Sequence, residues 1–321
     1  MFKDKVLAIY KQNLFNRCDD NGCVFYFSEK NFKELKSKTF NFKSSKNDIL
    51  KGSFYYYDNF KPNRLIIFDH GMGAGHLAYF KEIELLARNG FLVYSYDHTG
   101  CMNSEGSSTN GFAQSLSDLN DCVNAIKSLD ELNNYEISVV GHSWGAFSTM
   151  NIVKFHKDIK SIVAMSGFIS VEAVLKQTFK GFLKGIFNDA FEIEKQANPN
   201  YINCNAFDSL NDYEGKALII HSKDDKVVNK KYHFDVLQSK LENKENILFL
   251  LVNNKNHNPN YTIDAVKYKD TFFKKYKTAL KKNKLITEEA KTAFINKFDW
   301  NKMTAQDMSI WSQILDVLNG D

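Results

Sequence analysis

The sequence predicts an α/β protein with a mostly parallel central sheet flanked by helices, on three observations. Short apolar runs of strand length alternate with helix-length segments through most of the chain, and that rhythm implies helical crossovers between parallel, buried strands. One run, Val139-Val140, enters the turn Gly141-His142-Ser143-Trp144-Gly145 and leaves as a helix. Finally, 321 residues with 43% hydrophobic content suffice for one large core carrying at most a small added module.

Each element follows from its local pattern. Residues 1 to 17 have amphipathic helical spacing, and Asp19-Asp20-Asn21-Gly22 stops them. Thr39–Phe42 and Leu50–Tyr57 flank the turn residues Ser44–Asp48, which predicts an antiparallel hairpin at a sheet edge. Strands of the alternating region are expected at Leu65–Phe68, Phe91–Tyr96, Ile137–Val140, Ile159–Met165, Ala217–Ile220 and Ile247–Val252. Between the strand ending at Met165 and the one beginning at Ala217, residues 168–215 break the rhythm. There Val171, Val174, Leu175, Phe179, Phe182, Leu183 and Ile186 recur at helical spacing, enough for about four turns of one apolar face. An insertion at this place is expected to fold over the strand ends as a cap, because long insertions in compact domains are usually functional. Residues 264–283 read as a lysine-rich helix and Thr304–Leu318 as another, with Thr304-x-x-Asp307 as its capping box; both are expected to be outer covering, their lysines a solvated face. The organisation is therefore a helical extension over 1–38, a core over 39–167 and 216–321, and a helical cap over 168–215.

Composition excludes several classes of function. The formal charge of +4 is modest, lysines are spread along the chain, and Arg17, Arg64 and Arg88 are its only arginines, so neither nucleic acid nor a membrane surface is an expected partner. Cys18, Cys23, Cys101, Cys122 and Cys204 are odd in number and lie in no metal-ligand spacing, which points to free thiols, no metal and a cytoplasmic location. Charges interrupt the N-terminal apolar stretch, which does not read as a secretory signal, and no run is apolar enough to span a bilayer.

The chemistry centres on Ser143. A serine hydroxyl is a weak nucleophile and must be held out on a sharp strand-to-helix turn where a base can reach it. Gly141 and Gly145 remove the side chains that would collide there, and the helix opening at Trp144 aims backbone N–H groups at an anion formed beside Ser143. A base and an acid should follow in the order Ser, Asp or Glu, His. Of the downstream histidines, His156 and His233 fall in helical segments and His221 ends a strand. His257 lies in the loop after Ile247–Val252, where it can project over the carboxyl edge of the sheet, and is the candidate base. The loop after the preceding strand offers two adjacent carboxylates, Asp224 and Asp225.

These motifs resemble the α/β-hydrolase superfamily, and within it the monoglyceride-lipase, lysophospholipase and serine-aminopeptidase group. The resemblance covers residues 39 to 270 and rests on His70-Gly71-Met72-Gly73, Asp97-His98-Thr99-Gly100 through Ser104-Glu105-Gly106, the Ser143 turn, and the Asp225 and His257 loops. It selects Asp225 over Asp224 as the acid, by spacing from His221 and Val228. It also assigns the backbone N–H groups of Met72 and Trp144 to an oxyanion hole, and gives His70 and His142 structural roles. The second motif departs from the group in having Thr99 where an Arg is usual and Met102 where a Gly is usual.

What the resemblance implies is a serine hydrolase without metal or cofactor, acting on a small-molecule carboxylic ester. The apolar face of the cap suggests an apolar acyl group, as for a carboxylesterase, monoacylglycerol lipase or lysophospholipase. A serine aminopeptidase, with Glu172, Glu192 or Glu194 binding the free amine, and an acyl thioesterase are the alternatives on the same fold. A catalytically silent binding protein is a third. The sequence implies no oligomeric state.

Overall fold

The computed structural model describes residues 2–73 and 75–320; the side chain of Phe182 lies outside the described part. Eight strands form one sheet: β1 (Lys36–Lys43), β2 (Ile49–Tyr56), β3 (Arg64–Asp69), β4 (Leu92–Tyr96), β5 (Glu136–His142), β6 (Ser161–Met165), β7 (Lys216–Ser222) and β8 (Ile247–Val252). Their order across the sheet is β1-β2-β4-β3-β5-β6-β7-β8. The β1–β2 hairpin pairs antiparallel, β2 pairs antiparallel with β4, and every remaining pair is parallel. All eight coincide with the expected runs to within a few residues.

Helices cover both faces. In chain order they are α1 (Phe2–Leu14), α2 (Phe80–Arg88), α3 (Gln114–Lys127), α4 (Trp144–Ile152), α5 (Val171–Thr178), α6 (Phe187–Ala197), α7 (Ala206–Asn211), α8 (Phe234–Leu241), α9 (Ile263–Lys281), α10 (Glu288–Ile295), α11 (Trp300–Met303) and α12 (Met308–Asn319). Because strand side chains alternate between faces, β3 feeds two cores. Leu65 and Ile67 pack with Leu119 of α3 and Phe147 of α4, whereas Ile66 and Phe68 pack with Leu86 of α2 and Trp311 of α12. Burial on both sides explains why these strands read as continuous apolar runs rather than as alternating ones.

The insertion after β6 is helical but not one long helix. Ser170 caps α5, its hydroxyl accepting from the Ala173 amide, and the helix stops at Thr178. Gly181 then takes φ +65°, a left-handed conformation that cannot continue an α-helix, and a 3-10 turn leads into α6. The apolar face predicted across this stretch turns inward: Val171, Val174, Leu175, Phe179 and Ile186 are all buried in the α3–α4 core.

The C-terminal end also differs from expectation. Thr304 closes α11 instead of opening a helix, and Asp307 caps α12 through its carboxylate, which accepts from the Ser309 amide at 3.1 Å. Extended backbone at Asp307 makes it the N-cap and leaves Thr304 outside the helix it was expected to begin. No described helix is long and apolar enough to cross a membrane.

Candidate active site

The site is assembled where the parallel strands end. β5 leads directly into Ser143, which takes φ +57° and ψ −110°, and α4 begins at the next residue. This backbone is costly for a residue with a side chain and persists only where the surroundings enforce it. The neighbouring glycines are part of that enforcement. A Cβ on Gly145 would stand 2.0 Å from the Asp69 carbonyl oxygen, and one on Gly141 would stand 2.2 Å from Thr149 Oγ1. The Ser143 amide donates to the Met165 carbonyl at 2.8 Å, tying the turn to the end of β6.

Ser143, His257 and Asp225 come together in one hydrogen-bonded line although 114 and 32 residues separate the successive partners. His257 Nε2 lies 2.8 Å from Ser143 Oγ, and His257 Nδ1 lies 2.7 Å from Asp225 Oδ2. A carboxylate can only accept, so Nδ1 carries the proton and Nε2 is left to accept from the serine hydroxyl. The other Asp225 oxygen, Oδ1, accepts from the Val227 amide at 2.8 Å and the Val228 amide at 3.0 Å. Burial raises the pKa of Asp225, but the hydrogen bond and charge of His257 and the Val228 amide outweigh it, leaving a net shift downward.

Asp224 does something different. Its Oδ1 accepts from Ser222 Oγ at 2.6 Å and the Lys255 amide at 3.2 Å, and its Oδ2 from the Asn256 amide at 3.3 Å. It fastens the loop that carries His257 and makes no hydrogen bond to the imidazole.

His142, expected to be structural, ties three segments together. Its Nε2 donates to the His257 carbonyl at 2.6 Å, and its Nδ1 accepts from the Tyr79 hydroxyl at 2.8 Å. Tyr79 in turn accepts the Gly71 amide at 3.2 Å. One tyrosine and one imidazole thus connect the turn after β3, the serine turn and the His257 loop. Burial, then the charge of His257, pushes the His142 pKa down to about 3, so the imidazole is neutral and its two nitrogens keep opposite roles. Tyr79 carries no sequence motif; its one signal is a position eight residues after Gly71.

Below the site lies a buried ionic cluster. His98 Nε2 is 3.0 Å from Asp69 Oδ1 and its Nδ1 is 3.3 Å from Asp118 Oδ2. Burial works against its charge, but the two carboxylates prevail and lift its pKa to about 10. Thr99, at the position where arginine was the expected residue, donates through its amide and its hydroxyl to the same Asp118, both at 2.8 Å. His70 accepts the His98 amide at 3.0 Å and is fully buried.

A cavity of about 730 Å³ opens onto Ser143 and His257, and Met72 and His142 border it. No residue of 168–215 lines it among the described residues. Its far wall is α9, whose Val266, Lys269, Asp270, Phe273, Lys274 and Lys277 form a stripe at helical spacing. The helix expected to be outer covering is therefore a wall of the site. Its opposite face explains why it sits there: Phe272 and Tyr276 pack against Phe294, Phe298 and Trp300. A second cavity of about 240 Å³, rich in aromatic side chains, shares Met72, Tyr79, Asn258, Lys269 and Phe273 with the first and reaches Phe25, Phe27 and Trp300.

The sheet order, the strand–serine–helix turn and the loops that converge on it are those of the α/β-hydrolase fold. Residues 64–199 match the family model for the alpha/beta hydrolase fold. No curated protein matches the sequence significantly. Among solved structures, an esterase from Pyrococcus furiosus is similar at 19% identity and TM-score 0.59 over 83% of this chain and 96% of that one. An acylaminoacyl peptidase from Pyrococcus horikoshii is similar at 17% identity and TM-score 0.53, over 70% of this chain and 38% of its own. An alpha/beta hydrolase from a Penicillium species gives 15% identity and TM-score 0.52 over 69% of this chain and 91% of that one.

Proposed function

We propose that the protein is a serine hydrolase of carboxylic esters, and the observation that carries this reading is the unbroken Ser143–His257–Asp225 hydrogen-bonded line at the floor of an open cavity. In this reading Ser143 Oγ bonds to the ester carbonyl carbon as its proton passes to His257 Nε2. Asp225 holds the imidazole in the required tautomer and stabilises the imidazolium. The Met72 and Trp144 amides receive the oxyanion. Collapse breaks the bond to the alcohol oxygen, which takes the proton from His257, and water, deprotonated by the same histidine, releases the acid. No metal or cofactor enters any step.

An acyl group of apolar character fits the aromatic cavity beside Met72 and Tyr79 better than the inward-facing insertion. The insertion 168–215 is retained as a cap that steadies the acid loop, since Gln177 donates to the Val227 carbonyl and accepts from the Asn229 amide, both at 2.8 Å. An aminopeptidase is less well supported. Glu172 is paired with Lys176, Glu192 lies 3.5 Å from Lys195, and Glu194 is buried against the Tyr10 hydroxyl and the Phe112 amide. A thioesterase would use the same groups. The free cysteines suit a reducing cytoplasm.

The test is a fluorophosphonate probe with mass mapping of the adduct, run beside turnover of 4-nitrophenyl acetate, butyrate and decanoate. The expected result is labelling at Ser143 and ester turnover, both abolished in Ser143→Ala. A folded protein that neither labels nor turns over would make the fold a silent binding scaffold.

A further inference from the structure

Resting on the ester-hydrolase reading, we infer that the substrate carries an anionic group, a carboxylate or a phosphate, held by the lysine wall that faces Ser143. Lys226 from the acid loop and Lys269, Lys274 and Lys277 from α9 line the cavity against a single carboxylate, Asp270. One loop and one helix, separated in sequence, thus bring lysines to the wall of the same space.

Lys269 is the most informative of them. It is half-buried, its Nζ donates to Asn258 Oδ1 at 3.0 Å and lies 5.0 Å from the centre of the Tyr261 ring. Among the described residues no carboxylate lies within ion-pair distance of it; buried Glu82 and exposed Asp270 act on it only through space. An ammonium has three donors and, when taken out of water, requires partners for them. Burial is the first cause of its lowered pKa, as expected where a counter-ion is missing. Lys226, Lys274 and Lys277 likewise form no ion pair among the described residues, although exposed lysines elsewhere, such as Lys36 with Asp58 and Lys38 with Glu131, are paired. Asp270, engaged by Asn256 Nδ2 at 3.1 Å, offsets only one of the four ammonium groups, which leaves the wall net positive. A wall of this sign attracts an anion at encounter and repels the free α-ammonium an aminopeptidase must admit.

The experiment compares matched esters on the full chain. Mono-4-nitrophenyl adipate, 4-nitrophenyl hexanoate and 4-nitrophenyl 6-aminohexanoate place the charge on the acyl side. Acetates of 7-hydroxycoumarin with and without a 3-carboxylate place it on the leaving group. Expected is a kcat/KM about tenfold higher for the anion than for its neutral partner in one of the two series, carried by KM and fading with added salt. In Lys269→Met and in Lys274→Gln/Lys277→Gln, the ratio of anionic to neutral kcat/KM should fall toward one. Binding of 7-hydroxycoumarin-3-carboxylate against 7-hydroxycoumarin, read by fluorescence anisotropy, supplies a measure that needs no catalysis. Equal use and equal binding of charged and neutral partners would overturn the inference, as would a preference unchanged in both lysine variants. Ser143 labelling by a neutral fluorophosphonate separates the two readings. Labelling without anion preference sinks this inference alone, and anion binding without labelling sinks the hydrolase reading alone.

Discussion

Replacing Asp225 by Asn isolates what the buried carboxylate does, because the two side chains have the same shape. Oδ1 receives two backbone N–H groups, from Val227 and Val228, and Oδ2 receives the His257 ring. An asparagine keeps its oxygen where the two amides point and must turn its NH2 toward His257. Nδ1 then becomes an acceptor, the ring proton moves to Nε2, and the base confronts Ser143 with a donor. A wrong-tautomer imidazole of this kind costs about 10⁴ in kcat, or about 5.5 kcal/mol of transition-state stabilisation. Asp224→Asn should cost far less in turnover, since Asp224 fastens the loop without touching the ring. The assay is kcat for a short 4-nitrophenyl ester, with thermal unfolding to confirm that both variants fold. Retention of more than about a tenth of kcat by folded Asp225→Asn, or a larger loss in Asp224→Asn, would refute the tautomer argument.

Three further outcomes are expected. Ser143→Ala should lose both turnover and fluorophosphonate labelling while unfolding near the wild-type temperature. Tyr79→Phe strips partners from His142 Nδ1 and the Gly71 amide; it should cost about 1–3 kcal/mol in denaturant unfolding and lower kcat, and unchanged kcat in a stable variant would dissociate the network from catalysis. Acid should destabilise the fold early. Burial holds His70, His142 and His233 at about 3 in the folded protein, below the ordinary value of 6.5, so unfolding takes up protons between those limits. The stability from these groups is complete above pH 6.5 and is lost as pH falls toward 3, with a limiting slope of about 4 kcal/mol per pH unit. Denaturant midpoints that stay level between pH 6.5 and 4.5 would contradict this.

Most of the sheet was legible because its strands are buried on both faces and therefore spell short apolar runs between turn residues. The serine turn was legible for a steric reason, since Gly141 and Gly145 leave no room for substitution. Loop position proposed His257 and the Asp224–Asp225 pair, the resemblance chose Asp225, and the geometry brings Asp225 and His257 into one hydrogen-bonded line with Ser143. Four things were not legible. The break at Gly181 competes with an apolar period that continues through it, so periodicity alone overruns the helix end. The inward facing of the insertion depends on what it packs against, which its own period does not reveal. The stripe from Val266 to Lys277 has helical spacing, but a lysine on a helix face reads as solvated until a neighbouring loop is known to close the other side of the groove. Tyr79 was missed because a single hydroxyl bridging two distant loops leaves no local pattern.

The two-faced character of α9 has a consequence for how this protein can change. Ser143, Asp225 and His257 all follow the ends of β5, β7 and β8, but the facing wall of the cavity they share belongs to a helix whose position is set by Phe294, Phe298 and Trp300 on its far side. Substitutions in that distant aromatic cluster would shift the wall by tilting or sliding α9 without touching the reacting atoms. If the proposed ester-hydrolase reading holds, they would register as changes in which esters are accepted and leave the reactivity of Ser143 toward a small probe intact. Selectivity in this molecule is therefore open to drift or to engineering from a region that, in a linear reading of the chain, lies beyond the last residue of the chemistry.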